Sequence, residues 1–423
     1  MKARSHVTMN AYFFGVSFLW NAIHPIVLPA LLLLFVEESL KNTYYGMMTF
    51  AGLILAMLVQ PVAGWLSDTT RSRWGRRRPW LFVGSLLCLV CLGGMALAGS
   101  FWGLVVAYIC LQIASNCAHG PAQGLIPDLV PEKQYGLASG IKSLADMLGL
   151  VVASFAAGQL ISGNDPAMAF AVIGVVLAVS TAVTLLTAEE NTLKEPYAVQ
   201  DHPPEPRAKY SIREFFATLG RYPGFTWLIV SRLLILLGIY AVQSFAQYYL
   251  RDVMRVDNPP EATGNLMTTI GLPLTLAVFP AGYLSDRLGR RRVNLVAGGL
   301  VTLGILPLTF AVNMTQVSIL AAVIGVGTGI FLSANWALAT DLIPQREAGK
   351  YLGLTNLATA GASALARLGG PLIDQVNALR PEAYRGYPTL YLLAAASSLV
   401  GTLLLLRIQE TSHRPSGGHA PHS

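Results

Sequence analysis

Long apolar runs recur along this chain from Ala11 to Arg407, each the length of a bilayer-crossing helix and separated from the next by a short polar joint. No water-soluble fold buries so many of them. Twelve are read, at 11–35, 43–66, 79–98, 102–126, 136–161, 167–187, 223–250, 262–284, 293–312, 316–340, 350–373 and 388–407. Each is predicted to be helical, because a segment in hydrocarbon must satisfy its own backbone hydrogen bonds and an open chain does so only as a helix. The composition agrees: 53% of the 423 residues are hydrophobic and 12% charged, where a soluble domain has about a quarter charged. That balance excludes a secreted disulfide scaffold, a disordered tail and a nucleic-acid binder, in spite of a net charge of +7.

The basic excess has a topological origin. Of 29 Lys and Arg, five fall in joints on one side (Lys41, Arg251, Arg255, Arg380, Arg385), three lie deep within spans (Lys142, Arg232, Arg367), and the other 21, including Lys350 and Arg407 at span ends, lie on the side of the termini. By the positive-inside rule both termini are cytoplasmic, and a multi-pass protein of the plasma membrane, the bacterial inner membrane given such compact loops, is expected. Lys2 and Arg4 precede an apolar run as in a signal peptide, but the run is too long and no small-residue cleavage site follows. Cys88, Cys91, Cys110 and Cys117 all fall inside spans, where they read as small apolar groups with no disulfide or metal role.

The chain also repeats itself. GWLSDTTRSRWGRRR from Gly64 is echoed by GYLSDRLGRRR from Gly282, and DLVPEKQYGLASG from Asp128 by DLIPQREAGKYLG from Asp341. The second pair aligns without a gap, placing Pro131 on Pro344, Gly136 on Gly349 and Gly140 on Gly353. The expected fold is therefore an all-α membrane protein, twelve transmembrane helices in two six-helix bundles related by a parallel repeat. The N-terminal bundle covers 1–187 and the C-terminal bundle with its tail 223–423; a polar linker at 188–222 holds a short surface helix near Ser211 to Leu219.

Twelve spans, a parallel repeat and the G-x-L-S-D…G-R-R-R signature after spans 2 and 8 resemble the major facilitator superfamily over nearly the whole chain. The longer SDTTRSRWGRRRP, with Asn116, Gly120 and Pro121 in span 4 and the following Pro-Asp-Leu, is similar to the branch of sucrose-type and glycoside–pentoside–hexuronide cation symporters. The resemblance implies a substrate site near the membrane midplane between the halves. It also has departures. Where the sucrose-type pattern has an acid in span 4 this chain has Gln112, the Arg after Gly-Pro is Gln123, and span 2 has no carboxylate before Asp68. Sodium coupling is not expected, and proton coupling would have to use another group.

Ionisable groups at membrane depth are costly and functional by default. Lys142 and Asp146 lie one turn apart on span 5 and can pair, and Asp146 is the one carboxylate at the midplane. They are coupling candidates, with His24 and His119. The repeat puts Thr355 and Thr359 in their places in the second half. Arg232, about as deep in span 7, suits hydrogen bonding of sugar hydroxyls or pairing with Asp146; Arg367 pairs with Asp374 or extends to the surface. His24 precedes Pro25 with Pro29 a turn later, so span 1 should kink and free carbonyls on a cavity wall. Gln112, Asn116, His119 and Gln123 form a polar stripe that must face the bundle interior. With Arg232, Tyr240, Gln243, Asn335 and Trp336, its amides are substrate-binding candidates, joined by Trp20, Ser333 and Gln247. Asp68, Arg71, Arg76, Arg77, Asp286, Arg290 and Arg291, with the neighbouring arginines of both motifs, are gating residues that hold the cytoplasmic face closed, or simply topology anchors.

There is no phosphate loop, no H-E-x-x-H, no G-x-S-x-G and no His/Cys cluster. No enzyme activity, metal or cofactor is expected beyond a coupling proton. The leading expectation is a monomeric secondary transporter of a sugar or glycoside. The alternatives are an efflux carrier or uniporter for another small amphiphile, and a non-transporting sensor or assembly factor.

Overall fold

A computed structural model describes residues 3–162, 166–188, 220, 222–343 and 348–408. We number the long helices in chain order: α1 Ala11–Leu32, α2 Lys41–Thr69, α3 Arg78–Ala96, α4 Phe101–Leu129, α5 Tyr135–Ser162 and α6 Pro166–Thr187 in the first half. The second half has α7 Pro223–Ser244, α8 Pro259–Leu288, α9 Arg290–Leu308, α10 Met314–Asp341, α11 Ala348–Arg367 and α12 Gly386–Leu404. Their starts are written in the sequence. Ser100, Asn258 and Asn313 accept from the backbone N–H three residues on, and Pro79, Pro223 and Pro259 stand in first turns where no N–H is needed.

The repeat reappears as packing. In the first half α1 lies against α5 and α6, α2 against α4, and α3 against α4 and α6; in the second α7 lies against α11 and α12, α8 against α10, and α9 against α10 and α12. Two seams join the halves, α5 on α8 and α2 on α11 with the short helix Gly369–Leu379. Glycines let the backbones close these seams. A Cβ on Gly264 would stand 2.4 Å from the Ser154 carbonyl oxygen, and one on Gly370 2.1 Å from that of Asn42.

The expected architecture holds, with three local details added by the structure. Eleven helices among the described residues are long and apolar enough to cross a membrane; α11, the twelfth of the repeat, is less apolar, being built largely from Ala, Gly and Thr, and packs on α7 and α2. Spans 7 and 11 are each broken, at Phe245 and Leu368, and continue as the short helices Ala246–Asp252 and Gly369–Leu379. The kink of span 1 is a π-helical turn at Ile23–Val27, the local widening by which a helix absorbs a proline. The surface helix expected at 211–219, with nearly all of the 188–222 linker, lies outside the described residues.

Candidate functional site

Between the two seams is a cavity of about 1340 Å³. Its wall is drawn from both halves: Gln60, Gly64 and Asp68 of α2, Gln123 of α4, Lys142 and Ser143 of α5, Arg232 of α7, Ser333 and Trp336 of α10, and Asn356 of α11. All except Arg232 and Asn356, which sit near the middle of α7 and α11, lie on the part of their helix nearer the face that bears the termini. The cavity therefore opens on that termini face.

At its inner end Arg232 is buried, with Nε donating to Thr359 Oγ1 at 2.9 Å and Nη1 to Asn335 Oδ1 at 2.7 Å. The anticipated pairing of Arg232 with Asp146 does not form. Lys142 takes that carboxylate at 3.0 Å, as the one-turn spacing predicts, with its ammonium 4.4 Å from the centre of the Phe13 ring. Asn335 is fully buried behind Arg232, so it orients the guanidinium from outside the cavity lining. Tyr240 and Gln243 lie further along α7, also outside that lining.

The span 4 stripe divides. Gln123 reaches the cavity and bonds His119 at 3.1 Å. Gln112 and Asn116 are buried, Gln112 donating to Tyr108 Oη at 2.7 Å and approaching His24 at 3.3 Å, while Asn116 donates to the Gln112 carbonyl at 2.8 Å. Tyr108, which sequence reasoning missed, also lies 3.0 Å from His24 Nε2, and Trp20 stacks on the His24 ring at 4.8 Å. His24 and Trp20 thus belong to a packed polar cluster and do not line the cavity, contrary to the expectation for the kinked wall. The carbonyls freed by the kink are taken by protein: His24 O accepts from Tyr45 Oη at 2.8 Å, and the Gln247 amide nitrogen, in the orientation that satisfies both its atoms, donates to Pro25 O and Ile26 O at 2.9 Å.

The far face is closed by a polar latch between the halves. Lys41 bonds Asp252 at 2.8 Å with both side chains buried, Arg251 reaches Glu38 at 3.1 Å, and Tyr387 donates to Asp252 at 2.6 Å. Asp374 accepts from the Asn42 amide at 2.8 Å and from the Thr43 backbone N–H at 2.6 Å, so a carboxylate of the second half caps a helix of the first. Arg367 donates to Tyr45 Oη at 3.0 Å and makes no ion pair with Asp374, which Asn42 and Thr43 already occupy. Lys41 and Arg251, read from sequence as charges of outer joints, are latch residues. Their apolar spacing gave no sign of this, because the partners are about two hundred positions away.

The motif arginines, expected as gates or topology anchors, make bonds within their own half among the described residues. Arg76 and Arg77 both hold Asp128, and Arg77 also reaches Asp68, at 2.5 Å, and Ser67. In the second half Arg290 holds Asp341 at 2.6 Å and Asp286 at 3.2 Å, while Arg291 donates to Leu406 O at 2.7 Å. These bonds join α2 and α3 to α4, α8 and α9 to α10, and α9 to the end of α12, always inside one half. They exist while the cavity is open, so they brace each bundle; Arg71 is exposed on the joint between α2 and α3. The glycine of G-R-R-R has a backbone reason: Gly75 and Gly289 take φ of 101° and 94°, where an L side chain is strained.

Two repeat-related helical bundles, a cavity between them open at one face and a latch at the other define a secondary-transporter architecture. The chain belongs to the Major Facilitator Superfamily, whose family model matches residues 9–366 and 254–422. Over 406 residues it is 22% identical to the multi-drug resistance efflux pump PmrA homolog of Lactococcus lactis subsp. lactis (strain IL1403), covering 94% of this chain and 90% of that relative. It is 24% identical over 324 residues to the multidrug resistance protein MdtG of Klebsiella pneumoniae (strain 342), 75% of each. Its fold is similar to a bacterial homolog of the human lysosomal transporter Spinster in an inward-facing, unoccupied conformation, with TM-score 0.73, 16% identity, and 97% and 99% of the two chains covered. The D-xylose-proton symporter shares the fold at TM-score 0.69 and 16% identity, over 96% and 98%.

Proposed function

We propose that the chain exports a small amphiphilic solute by alternating access through the cavity, coupled to proton movement at Asp146. The observation that carries this is the asymmetry of the halves, open around the cavity at one face and latched at the other. With the termini cytoplasmic, as the distribution of Lys and Arg implies, the open face is the inner one, and the membrane is a bacterial inner membrane. Export is supported by the similarity to multi-drug resistance efflux pumps. Asp146 suits coupling because it is half-buried and held by one lysine, so protonation would release Lys142 into the cavity.

A second reading, a sugar or glycoside carrier of the sucrose-type branch, is favoured by the amides and hydroxyls of Gln60, Gln123, Ser333 and Asn356 beside the indole of Trp336. A ring that stacks on apolar sugar faces with amides for the hydroxyls is the chemistry such a ligand needs. Flux into proteoliposomes of purified protein tests both readings. Saturable, proton-gradient-dependent movement of amphiphilic dyes supports the first, the same behaviour toward a mono- or disaccharide supports the second, and no flux of either supports the non-transporting alternative.

A further inference from the structure

Two arginines lie deep in the second half with no matching carboxylate among the described residues. Arg232 and Arg367 are 5% and 8% exposed, and neither forms an ion pair among the described residues. Their acceptors are neutral: Thr359 Oγ1 and Asn335 Oδ1 for Arg232, Tyr45 Oη for Arg367. The other charges near the cavity are already balanced, Lys142 by Asp146 and Asp68 by Arg77. Arg232 is thus the one unmatched charge among the described cavity-lining residues. Behind it the fully buried amide nitrogen of Asn335 has no acceptor, a further unsatisfied donor at the same place.

We propose that the transported solute bears an anionic group, a carboxylate, phosphonate or sulfonate, which docks on the Arg232 guanidinium at the inner end of the cavity. This names the substrate class of the transport reading above and rests on it. A charge held in a low-dielectric interior without a partner is unfavourable until an opposite charge arrives. Asn335 and Thr359 fix two of the guanidinium's donors and so aim the remaining fork, whose planar geometry matches a two-oxygen anion. A permanently cationic solute would meet Arg232 as a repelling charge. A neutral sugar could accept its hydrogen bonds but would leave the charge uncompensated.

The test uses the full chain, purified and reconstituted, with three probes: carboxyfluorescein as the anion, ethidium as a cation of similar aromatic size, and sucrose. Saturable carboxyfluorescein flux is expected, reduced at least tenfold in Arg232→Gln and less than fivefold in Arg232→Lys, which keeps the charge and shows that the site still folds. Flux of ethidium or sucrose without carboxyfluorescein would overturn the anion site while leaving the transport reading intact. Carboxyfluorescein flux unaffected by Arg232→Gln would overturn Arg232 as its anchor. No movement of any probe would overturn both.

Discussion

At the scale of single residues, the polar groups held at depth by the cavity and its surroundings decide what the protein can bind and couple. Asp146→Asn keeps shape and hydrogen bonding but cannot titrate, so uphill accumulation should disappear while downhill exchange persists; accumulation at the wild-type level would remove Asp146 as the coupling group. Because Lys142 and Asp146 bond at 3.0 Å, Lys142→Ala should lower thermal stability less in an Asp146→Asn background than in the wild type. Additive losses in that cycle would mean that the two do not interact. Trp336→Leu should weaken binding of an aromatic or sugar-like solute by about 1–2 kcal/mol, the size of a lost ring contact, measured as a change in half-saturating concentration at unchanged expression. Asp146, Lys142 and Arg232 were legible because a charge inside an apolar run is conspicuous in one sequence. Gln112 and His24 were misplaced for a physical reason: helical periodicity shows that a polar stripe faces the interior, but not whether neighbouring protein or a cavity meets it there. Tyr108, which unites them, looked like any other aromatic in an apolar helix.

At the scale of elements, the repeated signatures were visible as strings, but their role was not. G-R-R-R and the Asp-Leu motif lie some fifty positions apart in each half and meet as Arg76 with Asp128 and Arg290 with Asp341. Gly289→Ala places a side chain at φ 94° and should cost about 1–3 kcal/mol, the price of a strained backbone, seen as a lower melting temperature. Gly299→Ala in α9, where a Cβ meets nothing within 4 Å, should be neutral or slightly stabilising, since Ala is the better helix former. Equal effects of the two would refute the backbone explanation of the motif. The breaks at Ile23–Val27, Phe245 and Leu368 share a consequence. The first frees carbonyls that Tyr45 and Gln247 take, while the other two lead into the short helices that carry Asp252 and Asp374 to the latch. Only the first had a sequence signal, the His-Pro pair, because proline punctuates a helix whereas Phe and Leu do not.

At the scale of the whole molecule, twelve helices and their twofold arrangement follow from hydropathy and repeat alone, since a bilayer permits so few solutions. The relation between the halves does not, because it depends on contacts such as Lys41 with Asp252 and Asn42 with Asp374 across the chain. These contacts are the main polar bonds the opposite conformation must break. A lost hydrogen bond to a charged group is worth about 1.5–3 kcal/mol, enough to change the ratio of two conformations tenfold or more. If the halves rock about the cavity with the latch as their counterweight, paired spin-label distances will report it. One pair spans the termini face, at Thr69 and Gly353, and the other the far face, at Ser39 and Ala378. In the wild type the first distance should be long and the second short. Lys41→Ala combined with Asp374→Asn should create a second population in which the first shortens and the second lengthens together; distances that stay fixed, or that change at one face alone, would contradict it.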